Sequence, residues 1–301
     1  MRGLCLALFA AAAAEAAVTV TVLMGGGAED PSFALGDGAE AAQARAIAHS
    51  RAGLPPPQSP LPMGYAGVRV MVEDAESIVV ADDVDAELEL LDFIPEQALS
   101  AEIVAHIHDR LRTRPQSLFL APTPLMAKET NCTIPVRGPS TGLPAFSPET
   151  DDCGFYIEYQ SLNNCYDYGT DVVTNTFAQP GRGTGQKWKQ NTCEAMTAAA
   201  ESDGLVHVGT NLPSAPPTEG GHYVSLHIWP STNFHWTRMN SNVTSVGGAP
   251  VHTWSHKPGG TAVRGVDNDG KTIIDPRDAN LNPWSQFCAF FLVNPSTVKI
   301  N

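Results

Sequence analysis

A cysteine at position 165 and five histidines between His222 and His256 are the side chains of this sequence best suited to covalent chemistry. A thiolate attacks a carbonyl carbon well, but only where a helix N-terminus or a neighbouring imidazole lowers its pKa. Asn163 and Asn164 are good helix caps, so they set Cys165 in a first helical turn beside unpaired backbone N–H groups. Those N–H groups also suit an oxyanion. His235 opens a strand from which its ring can face a helix, and His256 lies on the following strand, where it can orient His235. Cys165, His235 and His256 are thus the expected nucleophile, general base and orienting residue. Asp275 is the alternative orienting group, because a carboxylate holds an imidazole equally well. Asn164 or Gln179 would help bind the oxyanion, and Arg182, Trp236 and Trp254 would border the cleft. Each residue also has a plainer reading: a buried structural cysteine, a half-buried sheet histidine, and a loop-shaping His256 whose place His227 or His252 could take.

The cysteine count bears on that chemistry. Arg2, the apolar run from Leu4 to Ala14 and the small residues around Glu15 read as a signal peptide over 1–16, whose removal takes Cys5 with it. In an oxidising compartment the remaining odd number leaves one thiol over. Proximity along the chain suggests Cys132 with Cys153 and Cys193 with Cys288, leaving Cys165 free, although four thiols allow three pairings. The sequons at Asn131 and Asn242 fit the same secreted route as glycosylation sites. No later segment is long and apolar enough to span a membrane. A net charge of −14 argues against nucleic-acid binding, which needs clustered Lys and Arg.

The elements that must position these residues follow a pattern. Residues 17–64 are rich in Gly, Ala and Pro and read as a leader or linker. Residues 65–120 read as a small α+β accessory unit: Val68 to Val72 alternates like a strand, and Ile103, Ile107 and Leu111 share a helix face behind the cap Ser100. After a proline-rich joint, 126–301 holds all five tryptophans and the mature cysteines. Its pattern runs helices first, over 166–176 and 192–203, then strands over 223–229, 234–239 and 251–256, which makes an α+β domain.

Metal and phosphate chemistry compete for the same residues. His252 and His256 have helical ligand spacing, but Trp254 and Pro258-Gly259-Gly260 argue for extended chain. Asp267-Asn268-Asp269-Gly270 starts like a calcium loop and ends like a hairpin turn. The run Gln179 to Gly185 lacks the Gly-Lys-Ser/Thr ending of a phosphate loop. No metal and no cofactor are expected.

The order of a helix-starting Cys, a strand-heading His and a polar residue on the next strand resembles the papain-like superfamily in its small secreted NlpC/P60 and CHAP forms. The strings Asn164-Cys165-Tyr166-Asp167-Tyr168, Thr176 to Arg182, His235-Trp236 and Trp254 to Gly260 also resemble a family of secreted bacterial and eukaryotic proteins that includes a mollusc shell-matrix protein. The first resemblance implies a papain-like core and a secreted thiol hydrolase that cleaves a peptide, a peptidoglycan stem or another amide. The second implies the alternative, a non-catalytic extracellular matrix or surface-binding protein of the same fold.

Overall fold

The computed structural model describes residues 17–52, 65–73, 77–81, 83–113, 132–148 and 150–301. The signal peptide and Asn131, the acceptor of the first sequon, lie outside them. The chain divides into two compact units. One comprises the described parts of 1–21, 32–57 and 68–111; the other comprises those of 22–31, 58–67 and 112–301.

The first unit is a four-stranded sheet with helices. Its strands are β1 (Val18–Val22), β2 (Ser32–Leu35), β3 (Val68–Val72) and β4 (Ile78–Val80), in the order β2-β1-β3-β4. Helices α1 (Ala39–Arg51), α2 (Val84–Leu91) and α3 (Ala101–Arg112) complete it. The stretch 17–64 is therefore no loose leader where it is described. Val18, Val20 and Val22 alternate inward in β1, and α1 buries Ala41, Ala44 and Ala48, small residues at helical spacing that allow close approach. Alanine-rich composition, taken as a sign of poor burial, here marks a tightly packed helix. Asp83 caps α2 by accepting from the Ala86 N–H at 3.1 Å.

The second unit is built on an antiparallel sheet of β7 (Val206–Gly209), β8 (His222–Trp229), β9 (Asn233–Val246), β10 (Ala249–His256) and β11 (Gln286–Val293), in the order β10-β9-β8-β11-β7. Helices α4 (Phe155–Glu158), α5 (Cys165–Thr170) and α6 (Cys193–Ser202) and the two-residue strands β5 (Val136–Arg137) and β6 (Val172–Val173) accompany it. Alternation gives the sheet two buried faces. Val224, Leu226, Ile228, Phe234, Trp236, Ala289, Phe291 and Val293 share a core with Cys165 and Tyr166 of α5 and Met196 and Ala200 of α6. Met239, Trp254 and Phe290 share a second core with Trp284, Leu281 and Ile273. Each fully buried Val, Leu, Ile, Phe or Met among them contributes roughly 1.5–3 kcal/mol by leaving water. Disulfides join Cys132 to Cys153 and Cys193 to Cys288.

Helix α5 is shorter than the 166–176 pattern predicts. Asp171 takes a left-handed conformation at φ 58° and turns the chain into β6. Gly169 lets α5 approach β9 closely, since a Cβ there would stand 3.1 Å from that of Trp236. Helix α6 starts behind Thr192, whose hydroxyl accepts from the Ala195 N–H.

Candidate functional site

The start of α5 is organised by a reciprocal capping box. The Asn164 carboxamide oxygen accepts from the Tyr166 and Asp167 N–H groups, and the Asp167 carboxylate accepts from the Asn164 N–H at 2.9 Å. Asp167 also accepts from the Ala178 N–H (3.1 Å) and the Thr174 hydroxyl (2.5 Å). Cys165 sits in the first turn with no exposure, and its Sγ lies 3.9 Å from the Phe234 carbonyl, to which it donates. Burial pushes its thiol pKa up, against the opposing pull of the Trp236 backbone and the Lys257 ammonium. The helix start that should activate the thiol instead spends its N–H groups on Asn164.

His222 lies on the α5 side, its Nε2 2.7 Å from the Gly169 carbonyl, but His227, His235 and His256 occupy the other side of the sheet. Phe234 and Trp236 point from β9 into the core that contains Cys165, so His235 between them points the opposite way. There it stacks on Trp284 with ring centroids 4.3 Å apart. His235 Nε2 lies 2.7 Å from His256 Nδ1, and His256 Nε2 lies 2.9 Å from the Val266 carbonyl. A carbonyl can only accept, so His256 carries its proton on Nε2 and His235 donates from Nε2. His227, opposite His235 in the register, bonds Ser225 Oγ at 2.9 Å, and Ser225 Oγ bonds Thr237 Oγ1 at 2.7 Å. Burial holds these rings neutral: His227 is depressed to about 3, His256 to about 4, and His235 also well below its ordinary value.

The expected triad is thus divided by the sheet. His235 and His256 meet each other, but neither meets Cys165. Asp275 does not orient them either; it accepts from the Arg277 backbone and guanidinium, and the imidazole that feels its charge is His227. Trp236 and Trp254, expected as walls of one cleft, are both fully buried and belong to different cores.

The remaining motif residues tie chain segments together. Gln179 is buried and donates to the Gly27 and Phe177 carbonyls. Arg182 donates to the Thr176, Phe177 and Asn301 carbonyls. The Gly181 N–H donates to the Asp203 carboxylate at 2.7 Å. At 267–270, the Asp267 carboxylate accepts from the Asp269, Lys271 and Asn280 N–H groups, as a turn requires.

Three charged residues with central roles went unrecognised in the sequence. Lys257 is fully buried, and its ammonium donates to the Gln160, Asn163 and Gly259 carbonyls at 2.6, 2.5 and 2.8 Å. Burial lowers it to about 7, with Asp167 and Cys165 pulling the other way. Arg238, also fully buried, bonds Asp171, Asp151 (2.8 Å) and the Ala145 carbonyl, and stacks on the Tyr168 ring at 3.9 Å. Asp167 is the third. For Asp167 and Lys257 the signal was a charge set among aromatic and small residues inside the motif strings, where an exposed face would show several charges together; Arg238 lies outside those strings.

A curated relative decides the affiliation. The chain is 38% identical over 136 residues to the insoluble matrix shell protein 1 of Ruditapes philippinarum, a match spanning 45% of this chain and 82% of that protein. The chain belongs to the family of that shell protein. No family model matches, and no solved structure does. Family and disulfides together make this a secreted, extracellular protein. Among the described residues no helix is long and apolar enough to cross a membrane.

Proposed function

We propose that this protein is a non-catalytic component of an extracellular matrix, with its second unit serving as a disulfide-braced structural module. The kinship to a shell-matrix protein carries the reading. The separation of Cys165 from His235 and His256 supports it, since acyl transfer needs the thiol and its base within about 3 Å of each other. An acidic balance of −14 suits contact with mineral or polysaccharide, which are the partners we propose in place of a peptide or peptidoglycan substrate. A papain-like core for 126–301 is proposed only as an architecture, on the strength of a Cys-initiated helix packed against an antiparallel sheet.

Iodoacetamide labelling across pH, mapped by mass spectrometry, tests the reading. Cys165 in the native protein should stay unmodified up to and beyond the free-thiol pKa of about 8.5 and react only in denaturant. Rapid native labelling near neutral pH that disappears in His235→Ala would restore the thiol hydrolase.

A further inference from the structure

Residues 22–31 form a strap that belongs to the second unit. Its base is closed by the Val22 N–H on the Pro31 carbonyl (2.9 Å) and the Met24 N–H on Asp30 Oδ1 (2.8 Å). Everything from Val22 to Ala28 is buried. The contacts that hold its tip are made to main chain. The Gly27 N–H donates to the Phe234 carbonyl at 2.8 Å, and the Ala28 N–H donates to Asn233 Oδ1 at 2.9 Å. The Gly27 carbonyl accepts from Asn164 Nδ2 (3.0 Å) and Gln179 Nε2 (2.7 Å).

Such a cradle reads backbone through hydrogen bonds and reads side chains by exclusion. A Cβ on Gly26 would overlap the Asn233 carboxamide, and one on Gly27 would overlap the Phe234 ring. Within Gly25 to Ala28 only Ala28 presents a side chain, and its methyl joins the core around Cys165 and Phe234; beyond it the Glu29 carboxylate accepts from Arg182 and Lys187. The cradle is thus a groove with a built-in preference for a bent Gly-Gly-Ala segment.

We propose that this groove is a docking site which, in concentrated protein, takes the Gly25–Ala28 strap of a second copy and so joins chains by strand exchange. The strap and its partners stand 137 to 205 residues apart in sequence, so each chain must close a long loop to fill its own groove. An identical strap from another copy makes the same contacts without any new complementary surface, which is the usual route to an exchanged dimer. A tethered segment competes at an effective concentration in the mM range, so exchange prevails only where the protein itself is crowded.

The test uses the full chain and a labelled synthetic peptide of residues 22–31. Gly27→Val expels the chain's own strap and leaves every groove residue unchanged. The unaltered peptide should bind this variant at least about tenfold tighter than it binds the unaltered chain, a difference of about 1.4 kcal/mol. A peptide carrying Gly27→Val should not bind. Equal binding to both chains, or none to the folded variant, overturns the proposal. Should the variant fail to fold, the unaltered chain is unfolded with its disulfides intact and refolded at high concentration from a mixture of two differently tagged copies. Dimers carrying both tags should increase with concentration and be suppressed by excess unaltered peptide, but not by the Gly27→Val peptide. Monomers at every concentration, or dimers indifferent to the peptide, overturn it equally.

Discussion

Acidification should weaken the second unit through His227 by an amount that can be worked out. The ring is buried, bonded to Ser225, packed on Phe287 and paired across the strands with His235; His256 and Asp275 are the charged or titratable groups that act on it. Burial, aided by His256 and opposed by Asp275, depresses its pKa to about 3 in the folded chain, against about 6.5 unfolded. A folded pKa below the unfolded one means that the unfolded chain takes up the proton first. The stability due to a neutral His227 is therefore complete above about pH 6.5 and declines as pH falls toward 3, at about 1.4 kcal/mol per pH unit. Buried carboxyls such as Asp167 and Asp203, whose pKa values burial raises, titrate with the opposite sign, so the total profile is not diagnostic. The difference from His227→Gln is, because Gln keeps a polar partner for Ser225 and cannot be protonated. Urea unfolding followed by tryptophan fluorescence reports the second unit alone, since all five tryptophans lie in it. The stability gap between the native chain and the variant should change by about 2 kcal/mol in the variant's favour from pH 6.5 to 4.5. Parallel profiles would refute the reasoning, because they would mean that His227 takes its proton equally in both states.

Asp167→Ala should cost about 3–5 kcal/mol, since it strands the N–H groups of Asn164 and Ala178 and removes the counter-charge to the buried Lys257; urea unfolding measures it. Replacing Cys193 and Cys288 by Ala opens a crosslink of sequence separation 95, for which the chain-entropy relation gives about 4–5 kcal/mol, read as a lower urea midpoint without reductant. Asn242 is exposed on β9 with Thr244 two residues on, and its Oδ1 accepts from the Phe146 N–H at 2.7 Å; the secreted protein should carry a glycan there, lost as a mass decrease in Asn242→Gln, with the displaced hydrogen bond costing about 1 kcal/mol.

Local order was legible in the sequence wherever one residue's chemistry sufficed. Asn164 and Thr192 cap their helices because a short polar side chain can reach the N–H groups ahead of it. The strands β8 to β10 follow from alternation. What could not be read was the partner of each segment. The Gly25-Gly26-Gly27 run looks like slack chain by composition, yet it is buried because the missing side chains let backbone pack against Asn233 and Phe234. Lys257 and Arg238 read as surface charges until the carbonyls and carboxylates that enclose them, drawn from distant segments, are known.

The division of Cys165 from His235 was more accessible than that, because it is a question of parity. In β8, Val224, Leu226 and Ile228 alternate with Ser225 and His227; in β9, Phe234 and Trp236 alternate with His235 and Thr237. The helices α5 and α6 bring to the sheet Cys165, Tyr166, Met196 and Ala200, an apolar set that pairs with the apolar parity of both strands. A one-residue slip that turned His235 toward Cys165 would carry Phe234 and Trp236 to the far face and set Ser225 and His227, or their β9 equivalents, against α5. Several large side chains, each worth roughly 1.5–3 kcal/mol of burial, oppose that slip, and no single thiol–imidazole bond outweighs them. The order Cys, His, His along a chain is therefore weak evidence for catalysis until the parity of the histidine strand is checked against its apolar neighbours. Here the parity favours a structural module with a sealed thiol.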